Sequence, residues 1–515
     1  MKHANVRWLR MCGCGLAVLA AGLLLVASLA LPVQASALAQ EGQGNETAAV
    51  VTTPAAPQPE VEGPYVGQPV FPVVLDADLR QLPQAELRHE NIQRPWRRLH
   101  PPESRPEDKA DEAPPDALAQ TQMPLAAMPS PLENFDGLSL TSDCGGVICG
   151  SGWPPDTNGD VGPVYYVQAV NTAFGIFNKA TGARLTALTF DTLFFGTNTA
   201  CDDSNFGDPI VLYDAMADRW ILTDFAWDTK DTDTGPYYEC IAVSRTGDPV
   251  TGGWYLYALR ADDDSHPWLA DYPKLGVWPD GYYMSANMFD CVSDCGSSSP
   301  FEGVRVWALN RTALINGQAL QEVHFDIPSL VYDEVMLPAN LRGALPPGGA
   351  PNFFVAMDDN FTFGGNDVLH LWKFRVNWAA PANYTFTTVP TDLIVSPFTL
   401  PSSEAGVPQL GTSAKLDTLG DRLMMQLQYR NINGIESLWV NHTVASGGVT
   451  GIRWYELRNP NGTPVVYQQG TYQPDSTYRW MGSLAVDNDG NMALGFSASS
   501  SSIYPAIRYA GRLVT

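Results

Sequence analysis

The chain has 515 residues, of which 45% are hydrophobic, and a formal net charge of −25 at pH 7. This length and apolar content are enough for a large core, which excludes a wholly disordered protein. The strong negative charge disfavours binding to nucleic acid phosphates and to anionic membrane surfaces. We therefore expect neutral or basic partners, or divalent cations.

Residues 1–39 have the features of a secretory signal peptide. Basic residues precede an apolar run from about Leu16 to Leu31, and Ala37-Leu38-Ala39 fits a small-residue cleavage site. The alternative is an uncleaved membrane anchor. The signal peptide predicts a secreted or cell-surface protein, and we expect a monomer with no membrane span after cleavage.

Six cysteines follow the signal peptide, and an even number in an exported chain indicates disulfides. Local loop closure favours the pairs Cys144–Cys149, Cys201–Cys240 and Cys291–Cys295. A zinc site is the alternative, but the chain has no C-x-x-C spacing and its histidines are scattered.

Residues 40–133 contain sixteen of the 41 prolines and few aromatic residues. Such a composition buries too little apolar surface to offset the entropy of ordering the chain. We predict a disordered linker, stalk or pro-segment, with one strand near Val70–Leu75.

From about Asn134 to the end, short apolar runs alternate with turns rich in Asp and Gly, and helical periodicity is nearly absent. The clearest unit has predicted strands at Ser483–Val486, Met492–Ser497 and Ala506–Tyr509, with a tight turn at Asp487–Asn491. Weaker copies of its first two strands begin at Pro209, Pro273 and Ser413.

The repeated units predict an all-β chain with a β-propeller over residues 134–515. Units recur at intervals of about 60–75 residues, which favours about six blades, with five or seven as alternatives. Blades packed around an axis leave only short exposed strand edges. An array of β-sandwiches is the alternative architecture.

Four runs carry a resemblance to a known family: PPDTNGDVGPVYYVQAVN, GDPIVLYDAMADRW, DYPKLGVWPDGYY and WMGSLAVDNDGNMALGFSAS. They resemble a family of large secreted bacterial proteins that are predicted β-propellers and are mostly uncharacterised. A more distant resemblance is to sialidase-type propellers, which carry repeated S-x-D-x-G-x-x-W boxes and three arginines around a carboxylate. Residues Ala485–Gly490 lack the closing Trp of that box, and only Arg479 and Arg508 are candidates for the arginines.

In a propeller, the starts of the innermost strands converge at one mouth of the central channel. Residues at the predicted first strands are therefore candidates for ligand binding, because opposed charges in a narrow channel can orient a polar ligand. The candidates are Asp208, Asp271, Tyr272, Lys274, Lys415, Arg479 and Trp480. The alternative is that they form structural ion pairs.

Side-chain oxygens at every second position of Asp156, Asn158 and Asp160 have the spacing of a calcium loop. The distal Glu of an EF-hand is missing. Calcium is the only cofactor that the sequence predicts.

No catalytic motif is present: there is no G-x-S-x-G, H-E-x-x-H, P-loop or dinucleotide fingerprint. Our first hypothesis is therefore an extracellular propeller that binds a glycan or a protein at the channel mouth. The alternative is a hydrolase or lyase acting on extracellular polysaccharide. An enzyme should place two carboxylates, or a carboxylate and a basic group, within reach of one ligand.

Overall fold

The structure is a computed structural model. It describes residues 61–83, 113–122, 128–138, 154–202, 204–227, 235–291, 300–328, 335–359, 365–402 and 406–514. The predicted signal peptide, Cys144, Cys149 and Cys295 lie outside these ranges. No helix in these ranges is long and apolar enough to cross a membrane.

The described residues form three short N-terminal strands and then six successive strand groups, which we call units 1 to 6. The N-terminal strands are β1 (Glu62–Val66), β2 (Val73–Leu75) and β3 (Ala119–Gln120). Unit 1 contains β4 (Asn158–Val161), β5 (Tyr165–Val170), β6 (Ala173–Asn178) and β7 (Arg184–Thr189). Unit 2 contains β8 (Asn205–Asp214), β9 (Arg219–Trp227), β10 (Tyr237–Ser244) and β11 (Trp254–Arg260). Unit 3 contains β12 (Trp268–Val277), β13 (Gly281–Asp290), β14 (Phe301–Asn310) and β15 (Glu322–Pro328).

The remaining strands belong to units 4 to 6. Unit 4 contains β16 (Leu337–Leu341), β17 (Asn352–Asp358), β18 (Val368–Arg375), β19 (Thr385–Thr388) and β20 (Leu393–Ile394). Unit 5 contains β21 (Leu423–Ile432), β22 (Ile435–Ser446), β23 (Val449–Arg458) and β24 (Val465–Tyr472). Unit 6 contains β25 (Tyr478–Val486), β26 (Met492–Ser500) and β27 (Ile503–Arg512). The short helices are α1 (Phe190–Phe194), α2 (Arg311–Ile315) and 3₁₀ turns at Leu79–Gln81, Ala200–Asp202 and Pro381–Asn383.

The first strand of each unit is innermost, and it packs against the first strand of the next unit, in the order β4, β8, β12, β16, β21 and β25. Strands β16 and β21 also pair in parallel, which joins units 4 and 5 into one sheet. Side-chain oxygens link neighbouring inner strands: Asn340 Oδ1 accepts the Val277 N–H (3.2 Å), and Gln428 Oε1 accepts the Val486 N–H (2.6 Å). The chain is therefore all-β with a propeller-like arrangement, and the number of blades stays a prediction.

Apolar side chains fill the spaces between successive units. Trp220 and Trp254 are buried between units 1 and 2, and Trp307 lies between units 2 and 3. Each side chain of this size stabilises the fold by roughly 1.5–3 kcal/mol when it is fully buried. Apolar residues at alternating strand positions lie on one face of a sheet, so the repeated pattern predicts sheets that pack on one another.

The turn predicted at Asp487–Asn491 is confirmed in unit 6. Asp487 Oδ1 accepts the N–H groups of Asp489 and Asn491, both at 2.9 Å, and Gly490 adopts a positive φ of 91°. The three strands predicted for this unit lie within β25, β26 and β27.

One predicted disulfide is confirmed in full. Cys201 and Cys240 form a bond, and both residues are fully buried beside α1 and β9. Cys291 is also buried and disulfide-bonded. Its predicted partner Cys295 and the predicted pair Cys144–Cys149 lie outside the described residues.

The structure differs in part from the prediction of a disordered segment at residues 40–133. The strand predicted near Val70–Leu75 is present as β2, whereas β1 and β3 were not predicted. Strand β1 pairs with β15, β2 with β11 and β3 with β24, so each covers the outer edge of a unit. Ordering such short stretches is favourable because edge strands offer unpaired N–H and C=O groups. Composition alone does not predict pairing between strands that are far apart in the sequence.

The first strand predicted for unit 5 is wrong. Residues 413–417 form no strand, since only an isolated bridge joins Val407 and Leu416, and the inner strand is instead β21. The reason is burial: Lys415 is exposed, whereas Leu423 and Leu427 of β21 are fully buried. The inner strand of unit 5 is therefore formed by the run that buries more apolar surface.

Candidate functional site

Two inner strands begin with β-bulges that move specific side chains out of the regular strand alternation. The register of β8 shifts between Gly207 and Ile210, and that of β12 shifts between Asp271 and Lys274. Asp208 and Tyr272 adopt positive φ angles of 49° and 53° at these bulges. A proline follows each of them, and proline has no N–H to donate to the strand ladder.

Hydrogen bonds join the bulges of neighbouring units. The Asp208 N–H donates to Asn171 Oδ1 of unit 1 (2.8 Å), and the Tyr272 N–H donates to Asp208 Oδ2 (3.2 Å). Asp208 is 6% exposed. Asp208 is thus held to unit 1 by its backbone N–H and to unit 3 by its carboxylate.

Asp156, just before β4, is hydrogen-bonded through its carboxyl group to Asp208. Burial and the neighbouring Asp208 carboxylate raise the pKa of Asp156 to about 9. With its pKa raised to this value, Asp156 keeps its proton at neutral pH.

Lys274 and Asp271 lie beside that pair. Lys274 Nζ donates to the carbonyl oxygens of Pro273 (2.9 Å) and Tyr272 (3.2 Å), and it lies 3.0 Å from the centroid of the Tyr272 ring. Burial lowers the pKa of Lys274 to about 7, although Asp208 opposes that shift. Burial and Asp208 raise the pKa of Asp271 to about 7, opposed by Arg422 and Lys274.

Arg422 comes from unit 5 and was not among the predicted residues. Its guanidinium binds Asp421 in a fork, with Nε and Nη2 at 2.7 and 2.8 Å from the two carboxylate oxygens. Its Cζ lies 5.2 Å from the centroid of the Tyr272 ring. Units 1, 2, 3 and 5 therefore contribute to one group of residues.

We call this group the carboxyl cluster: Asp156, Asp208, Asp271, Tyr272, Lys274 and Arg422. Asp156, Asp271 and Tyr272 are half-buried, whereas the other three residues are buried. The cluster is therefore recessed but in contact with solvent, as a ligand site requires.

Two further carboxyl groups lie deeper and interact with Asp208. Glu239 of β10 is fully buried, and neither of its carboxyl oxygens has a hydrogen-bond partner among the described residues. Asp224 of β9 accepts the Gly207 N–H through Oδ1 (3.3 Å). Burial raises the pKa of both groups well above the ordinary range.

The other predicted ligand residues lie elsewhere. Arg479 donates to Asp475 (2.9 Å) and packs near the rings of Tyr472 and Phe496. Trp480 is buried, and Lys415 is exposed before β21. Four of the seven predicted residues, namely Asp208, Asp271, Tyr272 and Lys274, are thus brought together; ligand binding by any of the seven stays a prediction.

The predicted calcium residues have separate partners. Asn158 Oδ1 accepts the Val211 N–H (2.9 Å), and Asp160 Oδ2 accepts the Tyr213 N–H (2.8 Å). Asp156 belongs to the carboxyl cluster instead. Within the described part of the chain, no group of three His, Cys, Asp or Glu residues is placed to hold a metal ion. Calcium binding stays a prediction.

Arg342 lies just after β16, at the end of the inner strands away from the carboxyl cluster. It binds the Asp160 carboxylate of unit 1 and lies 3.4 Å from the Tyr213 carbonyl oxygen of unit 2. This side chain therefore bridges sheets that are not neighbours in the inner-strand order.

No protein-family model matches this chain, and no curated protein matches it. Among solved structures, it is similar to Hadza microbial sialidase Hz136, with 11% identity, a TM-score of 0.37, and coverage of 67% of this chain and 62% of that one. It is also similar to a GH43 endo-arabinanase from Bacillus licheniformis, with 10% identity, a TM-score of 0.30, and coverage of 70% and 94%. A third is an endo-arabinase from Bacteroides thetaiotaomicron VPI-5482, with 11% identity, a TM-score of 0.29, and coverage of 61% and 96%.

Proposed function

We propose that this protein is an extracellular hydrolase that cleaves polysaccharide, with the carboxyl cluster as its acid–base site. The observation that carries the proposal is the contact of two carboxyl groups, Asp156 and Asp208, beside a third carboxyl group and a lysine. A site for binding alone needs no shared proton, whereas glycoside hydrolysis uses one protonated and one ionised carboxyl group.

Asp156 acts as the general acid in this proposal. Burial and the neighbouring Asp208 raise the pKa of Asp156 to about 9, so Asp156 is protonated at neutral pH. The residue is half-buried, so a bound glycosidic oxygen can reach it. Asp208 is the positioning residue, because its backbone and carboxylate bonds to Asn171 and Tyr272 hold it in place.

Asp271 acts as the general base. The residue is half-buried, and the positive charges of Arg422 and Lys274 favour the ionised form of its carboxyl group. In the reaction, a water oxygen bonds to the anomeric carbon and the bond from that carbon to the glycosidic oxygen breaks. Asp271 takes a proton from the water, and Asp156 gives its proton to the leaving oxygen.

The hypothesis of a glycan-binding or protein-binding propeller without catalysis is the second candidate. The half-buried Tyr272 ring favours it, because aromatic rings stack on sugars in binding sites. It differs from the first candidate in needing no proton transfer.

The test is the release of new chain ends from a panel of polysaccharides by the purified exported chain, measured by mass spectrometry. We expect cleavage of at least one polymer, and Asp156→Asn should lower its rate by about 10²–10⁴-fold. The matched control is Asp489→Asn, which changes an exposed hairpin carboxylate and should leave the rate unchanged. Binding without cleavage by the unsubstituted chain would favour the second candidate and contradict the first.

A further inference from the structure

The charges of the carboxyl cluster are unbalanced. Burial raises the pKa values of Asp156, Asp224 and Glu239, so these three groups stay protonated at neutral pH and add no negative charge. The remaining acids, Asp208, Asp271 and Asp421, face the cations Lys274 and Arg422. An acid group on a ligand would therefore enter a site that already has more acids than bases.

Both cations are engaged within the protein. Nε and Nη2 of Arg422 donate to the two carboxylate oxygens of Asp421. A ligand carboxylate would need this same pair of donors. Lys274 donates to two backbone carbonyl oxygens and packs on the Tyr272 ring. Neither side chain offers the two-pronged contact that anchors a carboxylate or a sulfate.

Three other arginines among the described residues do not supply this contact. Arg479, the candidate suggested by the resemblance to sialidase-type propellers, binds Asp475 at 2.9 Å. Arg508 is exposed on β27, the outermost strand of unit 6. Arg342 binds Asp160 at the opposite end of the inner strands.

We propose that the carboxyl cluster takes glycan chains without acid groups and rejects carboxylated or sulfated chains. The physical basis is repulsion by Asp208 and Asp271 together with the lack of a disengaged cation to offset it. This inference deepens the proposed function and rests on the carboxyl cluster being the glycan site.

The test uses pairs of polymers that differ only in acid groups. Suitable pairs are methyl-esterified and de-esterified homogalacturonan, and dextran and dextran sulfate. Binding is measured by affinity electrophoresis with the Asp156→Asn chain, so that cleavage does not interfere. In each pair that binds, the uncharged polymer should bind at least tenfold more tightly than its acidic partner.

Two further measurements keep the test specific. Asp421→Asn removes the carboxylate that holds the Arg422 fork, so binding of the acidic polymer should tighten at least fivefold. Without any substitution, 1 M salt should narrow the difference between the two polymers, because it screens the repulsion. The Asp489→Asn chain should keep the original preference.

Failure of this inference is distinct from failure of the proposed function. Tighter binding of the acidic member, with cleavage that depends on Asp156, would overturn the inference and leave the hydrolase proposal in place. Preference for uncharged polymers without any cleavage would overturn the hydrolase proposal and leave this inference in place. Absence of binding to either member of every pair would overturn both.

Discussion

The carboxyl cluster and the ion pair between Asp116 and Arg453 both bury charge, but they are built differently. Arg453 is fully buried and donates to Asp116 Oδ2 (2.7 Å), Thr471 Oγ1 (2.7 Å) and the Ser396 carbonyl oxygen (3.0 Å). One base thus pairs with one acid, and Nε and Nη1 of Arg453 also have acceptors. In the carboxyl cluster the acids outnumber the bases, and burial raises the pKa of Asp156 to about 9.

The difference indicates what each region is for. A balanced, hydrogen-bonded pair gains little by changing its protonation, so it serves to hold residues 113–122 against unit 5. An unbalanced cluster in contact with solvent keeps groups whose pKa values lie near neutrality, which is typical of acid–base sites.

The largest expected effect is on stability, at the balanced pair. Asp116→Asn leaves the Arg453 charge buried without a counter-ion, and it should lower the free energy of unfolding by about 3–5 kcal/mol. Urea denaturation measures this change. The matched control is Asp76→Asn, which removes an exposed partner of Arg245 from the same N-terminal region and should leave the midpoint unchanged. Equal midpoints for all three chains would show that the Asp116 pair does not hold the segment.

The second prediction concerns pH and the Asp156 carboxyl group. Its pKa is raised to about 9 in the folded chain, so between about pH 4 and 9 the folded state keeps a proton that the unfolded chain has lost. Stability from this group is therefore lost as pH rises, by at most about 1.4 kcal/mol per pH unit.

We expect Asp156→Asn to flatten the decline in unfolding free energy between pH 5 and 7. Lys274 does not affect this pH range, because burial lowers its pKa to about 7. Its contribution to the unfolding free energy has the opposite sign and changes with pH only above about pH 7. Identical slopes for the substituted and original chains would contradict a protonated Asp156.

The third prediction is a shift of the pH–rate profile. Lys274→Met removes a charge that lowers the pKa of Asp271, so the acidic limb of polysaccharide cleavage should move to higher pH, by about one unit. The control is Lys415→Met, at an exposed position outside the cluster. A change in rate with no change in the profile would assign Lys274 a structural role.

The smallest expected effect is that of calcium. Asn158 and Asp160 already accept backbone N–H groups, so an ion has to compete with bonds inside the protein. At ten times its dissociation constant, calcium would add about 1.4 kcal/mol to the unfolding free energy. A thermal melt with calcium and with EDTA measures this, and Asp160→Asn should abolish any difference. Persistence of the shift in that variant would place calcium elsewhere.

Part of the carboxyl cluster was predictable because it depends on local pattern. Asp208, Asp271 and Lys274 each stand at the start of an apolar run that becomes an inner strand, and inner strands converge. Arg422 was not predicted because the run at Ser413–Asp417 has the pattern of a first strand. The predicted site residue was therefore Lys415, which lies in that run. The competition between two apolar runs for the inner position is decided by burial, which the local pattern does not show.

Other features depend on contacts between distant residues. Glu239 stands in the apolar run Tyr237–Val243, and that isolated acid was a signal available in the sequence. The strand that forms β2 was predicted near Val70–Leu75, but β1 and β3 were not, and the sequence of none of the three indicates which outer strand it pairs with. Their position follows from edges that form only after units 2, 3 and 5 have folded.

The central claim is that Asp156 keeps its proton at neutral pH. Infrared difference spectra between the original chain and Asp156→Asn, both carrying ¹³C-labelled aspartate carboxyl groups and recorded from pH 5 to 10, test it directly, because bands that both chains share, such as that of Asp224, cancel. The difference should contain a protonated carboxyl band at pH 7 that disappears near pH 9. A difference spectrum with no protonated carboxyl band at pH 7 would contradict the claim.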